Sequence, residues 1–221
     1  MISLSQEEPF ARGGRRACYR HPEHAERCIK IALEDKQPHM LRSVDPWWKR
    51  IRPSSYYDEN EQDLRIYAQL DKRLGSLTHA HFPKIYGLVE TDLGIGLESE
   101  LIHDADGRIS LSGKEYTMQN GLSSTSEEAI KSLSVFLVHY LILFRDPFPH
   151  NIVLQEQADA SLRAVIIDGL GRKPFLSKIF RQTSGKRTLR KTDRLRKGLK
   201  RSEHNRQNGV EPKPNGMLSY R

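Results

Sequence analysis

Arg145-Asp146-Pro147-Phe148-Pro149-His150-Asn151-Ile152-Val153-Leu154 is the stretch on which the fold turns. It opens on a charged pair, runs through two prolines that forbid helix, and closes on β-forming apolar residues. Upstream, Ile130, Leu133, Leu137, Tyr140 and Leu141 recur on one face of a helix. That helix is expected to start near Ser126 as N-cap, with Glu127 and Glu128 in its first turn. Downstream, Ala164-Val165-Ile166-Ile167-Asp168-Gly169-Leu170-Gly171 reads as a short strand ending in an acid and a turn glycine. The order is helix, polar loop, strand, polar loop, strand, Asp-Gly.

Working outward, the first third of the chain reads as strands. Pro9-Phe10-Ala11-Arg12-Gly13-Gly14-Arg15-Arg16-Ala17-Cys18-Tyr19-Arg20 is strand, glycine turn, strand. Arg27-Cys28-Ile29-Lys30-Ile31-Ala32-Leu33 is another, with Ile29 and Ile31 on the face opposite Lys30. From Asp35 to Tyr57 the prolines 38, 46 and 53 predict an irregular insertion. A helix follows over Glu59–Leu74, stopped by Gly75. Its apolar stripe is Tyr67, Leu70 and Leu74, flanked by Leu64, and Asp63 falls in the middle of it. Glu61 points the opposite way. A carboxylate centred on a buried face is costly without a cationic partner. Two more strands, Lys84–Glu90 and Gly96–Ile102, flank a glycine-containing turn.

Composition fits one domain of ordinary size or two small lobes: 221 residues, 37% hydrophobic and 29% charged. No apolar run approaches the ~18 residues a membrane-spanning helix needs. Met1–Glu8 lacks the basic start and apolar stretch of a secretory signal, so a cytoplasmic location is expected. Cys18 and Cys28 have neither CxxC spacing nor a histidine cluster around them and read as reduced structural thiols. The net charge of +8 is uneven. Residues 172–221 hold 16 Lys+Arg against 3 Asp+Glu, and residues 1–171 hold 20 against 25. A mildly acidic folded part is thus followed by a basic extension.

Three segments stand in order: Cys28-Ile29-Lys30-Ile31, the Arg145–Leu154 stretch, and Val165–Gly171. They resemble the strand-three lysine, the catalytic loop and the metal-binding Asp-Phe-Gly segment of protein kinases. Phe10-Ala-Arg-Gly-Gly, Tyr19-Arg-His-Pro-Glu, Cys28-Ile-Lys-Ile, Ile85-Tyr-Gly-Leu-Val-Glu-Thr-Asp-Leu-Gly, Glu100-Leu-Ile, Arg145-Asp and Ile167-Asp-Gly carry a closer resemblance. It is to the YrbL family, kinase-like bacterial proteins named for a PhoP regulatory network, and covers most of residues 8–180.

The resemblance implies an α+β, two-lobed protein-kinase-like fold with a reduced C-lobe. Residues 1–102 would form the N-lobe and 103–180 the C-lobe with its catalytic and metal-binding loops. The resemblance gives out beyond these, where the charge of residues 181–221 leads to the expectation of a basic tail, solvated and partly disordered from Ser202. The resemblance implies ATP and Mg²⁺ as cofactors. Lys30 would contact the α- and β-phosphates, held by Asp63, with Glu59 as second choice. Asn151 and Asp168 would supply oxygens to Mg²⁺. Asp146 would orient an acceptor hydroxyl and take its proton. Gly13 and Gly14 would let backbone amides approach the phosphates, and Glu100 to Ile102 would touch the adenine.

Each residue also has a plain reading on its own. Lys30 can be an edge-strand lysine, Gly13-Gly14 a hairpin turn, and Asp146 and Asp168-Gly169 turn residues. Asp63 can pair with Arg65, Lys72 or an N-lobe arginine. The chain also departs from the kinase pattern: Phe144 stands where kinases carry histidine, Phe148 where many carry lysine, and no Ala-Pro-Glu segment follows. Three functions remain open: an atypical phosphotransferase acting on an unidentified hydroxyl, a pseudokinase or regulatory scaffold that binds nucleotide without turnover, and a binder of nucleic acid or anionic membrane through the tail. Residues 186–201 can alternatively form an amphipathic basic helix whose sparse apolar points are Leu189, Leu195 and Leu199. Acceptor and oligomeric state are not legible.

Overall fold

The computed structural model describes residues 1–171, 173–176, 181–212, 214 and 217–220. The chain divides into two units. The first comprises Met1–Gly75, Lys84–Leu101 and Leu218–Arg221, and the second Ser76–Pro83 and Ile102–Met217.

In the first unit β1 (Ala11–Arg12), β2 (Arg16–Arg20), β3 (Arg27–Ala32), β4 (Ile85–Thr91) and β5 (Gly94–Glu100) form one antiparallel sheet in the order β1-β2-β3-β5-β4. Period-two alternation places Ile29 and Ile31 in a core with Leu4, Ala17 and Tyr19. The chain between β3 and β4 supplies α1 (Pro38–Val44), α2 (Trp47–Arg50) and α3 (Glu59–Leu74). The expectation of an irregular insertion over Asp35–Tyr57 is corrected here. Pro38 occupies the first turn of α1 and Pro46 is the N-cap of α2, so these prolines start helices instead of breaking them. In α3 the Asp58 carboxylate caps the amides of Asn60 and Glu61, and Ile66, Tyr67, Leu70 and Leu74 are buried.

The second unit holds α4 (Gly113–Asn120), α5 (Ser124–His139), the hairpin of β6 (Ile152–Glu156) and β7 (Leu162–Ile166), and α6 (Arg181–Gln207). The N-cap of α5 is Ser123, not Ser126. Ser126 sits at the third helical position and closes a reciprocal capping box with Ser123. After α5 the chain turns through Leu141 at φ 54° and buries Ile142, Leu143 and Phe144 before Arg145 and Asp146 emerge exposed. A left-handed leucine costs roughly 1–2 kcal/mol, which the fully buried run after it offsets.

The largest correction concerns the basic segment. In place of a solvated extension, 27 residues form α6, which contains the alternative helix over 186–201, extends beyond it and packs on α4 and α5. Ser184, Thr188, Thr192, Leu195, Leu199 and Ser202 are buried at steps of three and four, while Leu189 is exposed. Small hydroxyl residues do most of the packing: Ser134 Oγ donates to Thr192 Oγ1 at 3.0 Å. A stripe built this way carries little hydropathy signal, and of the three leucines that mark it in sequence only Leu195 and Leu199 are buried.

Candidate functional site

Lys30 lies in the middle of β3, between Cys18 of β2 and Leu97 of β5, and is only 7% exposed. Its backbone is tied to α3. Asn60 Nδ2 donates to the Lys30 carbonyl at 3.0 Å and to the Ile95 carbonyl at 3.2 Å. The same Asn60 accepts from Arg16 Nη1 at 3.2 Å, and that nitrogen also meets Asp63 Oδ2 at 2.6 Å. Glu59 accepts from Arg15 at 2.9 Å. Asp63 therefore lies on the inward stripe, and its carboxylate is engaged by Arg16, the N-lobe arginine alternative of the sequence reading. With Arg16 buried, this pair fixes α3 against β2 and β3.

In the second unit, Asp146, Asn151 and Asp168 belong to two interlocked loops. Asp146 N donates to the Gly169 carbonyl at 2.9 Å, and Asn151 Nδ2 donates to the Asp146 carbonyl at 2.8 Å. Ile167 N donates to the Asn151 carbonyl at 3.0 Å, and Gly169 N to Asp168 Oδ1 at 2.6 Å. Gly169 is required for this lock. Its φ is +85°, and a Cβ there would lie 2.6 Å from Asn151 Nδ2 and 2.9 Å from the Asp146 carbonyl. Because the Asn151 amide nitrogen is committed to Asp146, its oxygen is the end that can serve a cation. Asp146 and Asp168 are both exposed. Among the described residues no cluster of three His, Cys, Asp or Glu side chains could hold a metal. Asn151 and Asp168 instead suit Mg²⁺, which takes one or two protein oxygens and completes its shell with phosphates and water.

Sequence reasoning missed Lys191. From α6 its Nζ donates to the carbonyl of Arg145. Burial lowers its pKa, Arg194 lowers it further, and Asp146 pulls the other way. An ammonium thus stands beside the Asp146 loop although position 148, where kinases often place one, is phenylalanine. Gly198 marks the same approach, since a Cβ there would meet Pro149 of the loop at 2.8 Å. A glycine inside a helix costs about 1 kcal/mol against alanine, so the close contact accounts for it. The hydroxyl stripe of α6 was the available signal. His150 was also passed over. Its ring stacks on Phe148 with centroids 5.4 Å apart, and burial and Lys114 lower its pKa while Asp168 raises it.

Gly13 and Gly14 form the turn between β1 and β2, with Gly13 N donating to the Arg16 carbonyl at 2.9 Å. No atom lies within 4 Å of a Cβ built at Gly14. At the other end of the sheet, Glu100 accepts from Lys84 N at 2.9 Å, while the amides of Glu100 and Leu101 donate to the carbonyls of Lys84 and Glu26. Ile102 begins the longer segment of the second unit and is buried with Val153 and Val165.

A lysine strand, three helices and two further strands, then two helices, an aspartate loop, a hairpin and Asp-Gly, follow one another in the order expected of a protein-kinase-like fold. The chain belongs to the family described as PhoP regulatory network protein YrbL, whose profile matches residues 2–200. It is similar to YrbL of Escherichia coli strain K12 and to YrbL of Shigella flexneri. Each is 30% identical over 179 residues, 80% of this chain and 76% of the relative. Among solved structures, that of Rad53 1-466 in complex with AMP-PNP aligns at 15% identity and a TM-score of 0.43. The alignment covers 76% of this chain and 38% of that one. No helix among the described residues is long and apolar enough to cross a membrane.

Proposed function

We propose that the chain is an ATP- and Mg²⁺-dependent phosphotransferase acting on a hydroxyl-bearing acceptor in the PhoP network its family is named for. The observation supporting this reading is the lock between the Asp146–Asn151 loop and Asp168-Gly169, which presents two exposed carboxylates and an oriented amide oxygen. Asp146 takes the acceptor's hydroxyl proton as its oxygen bonds to the γ-phosphorus. The bond from that phosphorus to the β–γ bridging oxygen breaks, and ADP leaves with the electron pair. Lys30 is assigned to the α- and β-phosphates and Lys191 to the charge that builds near Asp146. Asn151 and Asp168 would hold Mg²⁺, which would neutralise phosphate charge. Gly13 and Gly14 serve the phosphates, and Glu100 and Ile102 the adenine. Asp63 acts through Arg16 by anchoring α3 beside the Lys30 strand.

Transfer from γ-labelled ATP tests the reading. Asp146→Asn should abolish transfer while a nucleotide-dependent thermal shift persists, and Lys30→Ala should lower transfer by about 10²–10³-fold. Equal transfer in both variants and the wild type would reject it.

A nucleotide-binding scaffold without turnover is the second reading. It is favoured by Phe144, fully buried in the core where kinases carry histidine, and by Phe148 in place of a loop lysine. A thermal shift with Mg²⁺-ATP and no release or transfer of phosphate would select it. The third reading, binding of nucleic acid or anionic membrane by the basic segment, is supported by the exposed cations of α6. Because α6 packs on its unit, reversing Arg187, Arg194 and Arg201 tests that reading better than deletion, with salt-dependent binding as readout.

A further inference from the structure

The insertion between β3 and α3 presents an exposed apolar patch. Of the large hydrophobic side chains that are exposed among the described residues, five fall between Met40 and Ile51. Val44 is 80% exposed, Trp47 73%, Trp48 59% and Ile51 76%. The two indoles touch edge to face with centroids 5.9 Å apart, so they form one surface. The segment is held in shape by its own polar bonds. Arg50 donates to the carbonyls of Asp45 and Ser43 at 2.7 Å each, and Arg42 donates to the Arg50 carbonyl at 3.1 Å. Tyr57 donates to Asp45 at 3.0 Å and to the Lys49 carbonyl at 2.9 Å.

Charge separates the possible occupants. Residues 39–52 carry four Lys+Arg against one Asp, while the remainder of residues 1–171 carries 16 against 24. The bonds of Arg42 and Arg50 run to carbonyls, which orient guanidinium groups without cancelling their charge. Lys49 lies 3.9 Å from Asp45, which leaves a net excess of three cations. Exposed indoles and aliphatic side chains beside such an excess are the composition that seats in the headgroup region of an acidic bilayer. We propose that residues 39–52 dock the protein on the surface of a membrane containing anionic phospholipid. This is a site separate from α6 and independent of the phosphotransfer reading.

The test uses the full chain and its two tryptophans, Trp47 and Trp48, as reporters. Adding phosphatidylcholine vesicles that contain phosphatidylglycerol should shift tryptophan emission to the blue and sediment the protein. Phosphatidylcholine alone should do neither. Val44→Ser with Ile51→Ser keeps both reporters and removes exposed groups only, so folding should be unchanged while vesicle partitioning weakens by about tenfold or more. Lys49→Gln with Arg52→Gln should weaken it by about tenfold at low salt. No spectral shift with acidic vesicles would overturn the proposal. So would an equal shift with phosphatidylcholine alone, or sedimentation without a shift, which would assign binding to α6. A shift that grows with protein concentration in the absence of lipid would replace it with self-association.

Discussion

Replacing Gly169 by alanine isolates the contact that organises the aspartate loops. The residue sits at φ +85°, and the new methyl would lie 2.6 Å from Asn151 Nδ2, 2.9 Å from the Asp146 carbonyl and 3.2 Å from Phe144 Cε2. The left-handed backbone costs alanine about 1–2 kcal/mol. The Asn151 amide must also swing away, giving up its 2.8 Å bond to Asp146, worth about 1 kcal/mol. Together these destabilise by about 2–3 kcal/mol, or roughly 4–12 °C in Tm for a chain of this size. The pairwise part is separable. Asn151→Ala removes both the bond and the obstacle, so in that background Gly169→Ala should cost about 1 kcal/mol less than in the wild type. Chemical denaturation of the wild type, both single variants and the double variant measures this. Strict additivity of the two substitutions would refute the interlocked geometry, whatever the protein's activity.

Lys191→Met should leave the fold largely intact and lower phosphate transfer by about 10²-fold, the scale of losing one positioned charge. Burial lowers the Lys191 pKa, so its ammonium is present at low pH and lost below the ordinary lysine value of 10.5 as pH rises. The wild-type rate should fall on the alkaline side, and Lys191→Arg should move that limb upward. An unchanged profile would remove Lys191 from the site. Burial pushes the Cys28 thiol up to about 11. Alkylation of native protein near neutral pH should therefore label Cys18 and spare Cys28 until the chain unfolds, as peptide mapping would read. Glu203 bonds Arg206, Gln207 and the Leu122 amide, which hold its carboxyl at about 2. Its folded pKa is depressed below the ordinary 4.5, so its contribution to stability is complete above that value and lost as pH falls toward about 2. The Tm gap between wild type and Glu203→Gln should close over that interval. A gap independent of pH would show that the charge is not responsible.

The residues that sequence could single out were those whose chemical character shows in local pattern. Lys30 stands out as a charge among β-branched neighbours, Glu59–Leu74 as a capped amphipathic helix, and Asp146, Asn151 and Asp168 as polar groups at the ends of apolar runs. These features depend on periodicity and on the backbone chemistry of proline and glycine, which act over a few residues. Pattern also placed Asp63 on the inward face of its helix. Which cation met it was a matter of sheet register, with Arg16 and Lys30 brought to α3 by neighbouring strands.

A basic amphipathic helix over residues 186–201 was one alternative legible in sequence, and tertiary structure decided that it packs instead of standing in solvent. Its buried face is serine, threonine and two leucines, apolar enough to pack once a surface is offered and too polar for sequence to decide between packing and solvation. Docking then carried Lys191 across 46 residues of sequence to the Arg145 carbonyl and set Gly198 against Pro149. Such a contact depends on two helices and a loop folding onto the same place. No local spacing encodes it, because burial is settled by what the rest of the chain presents.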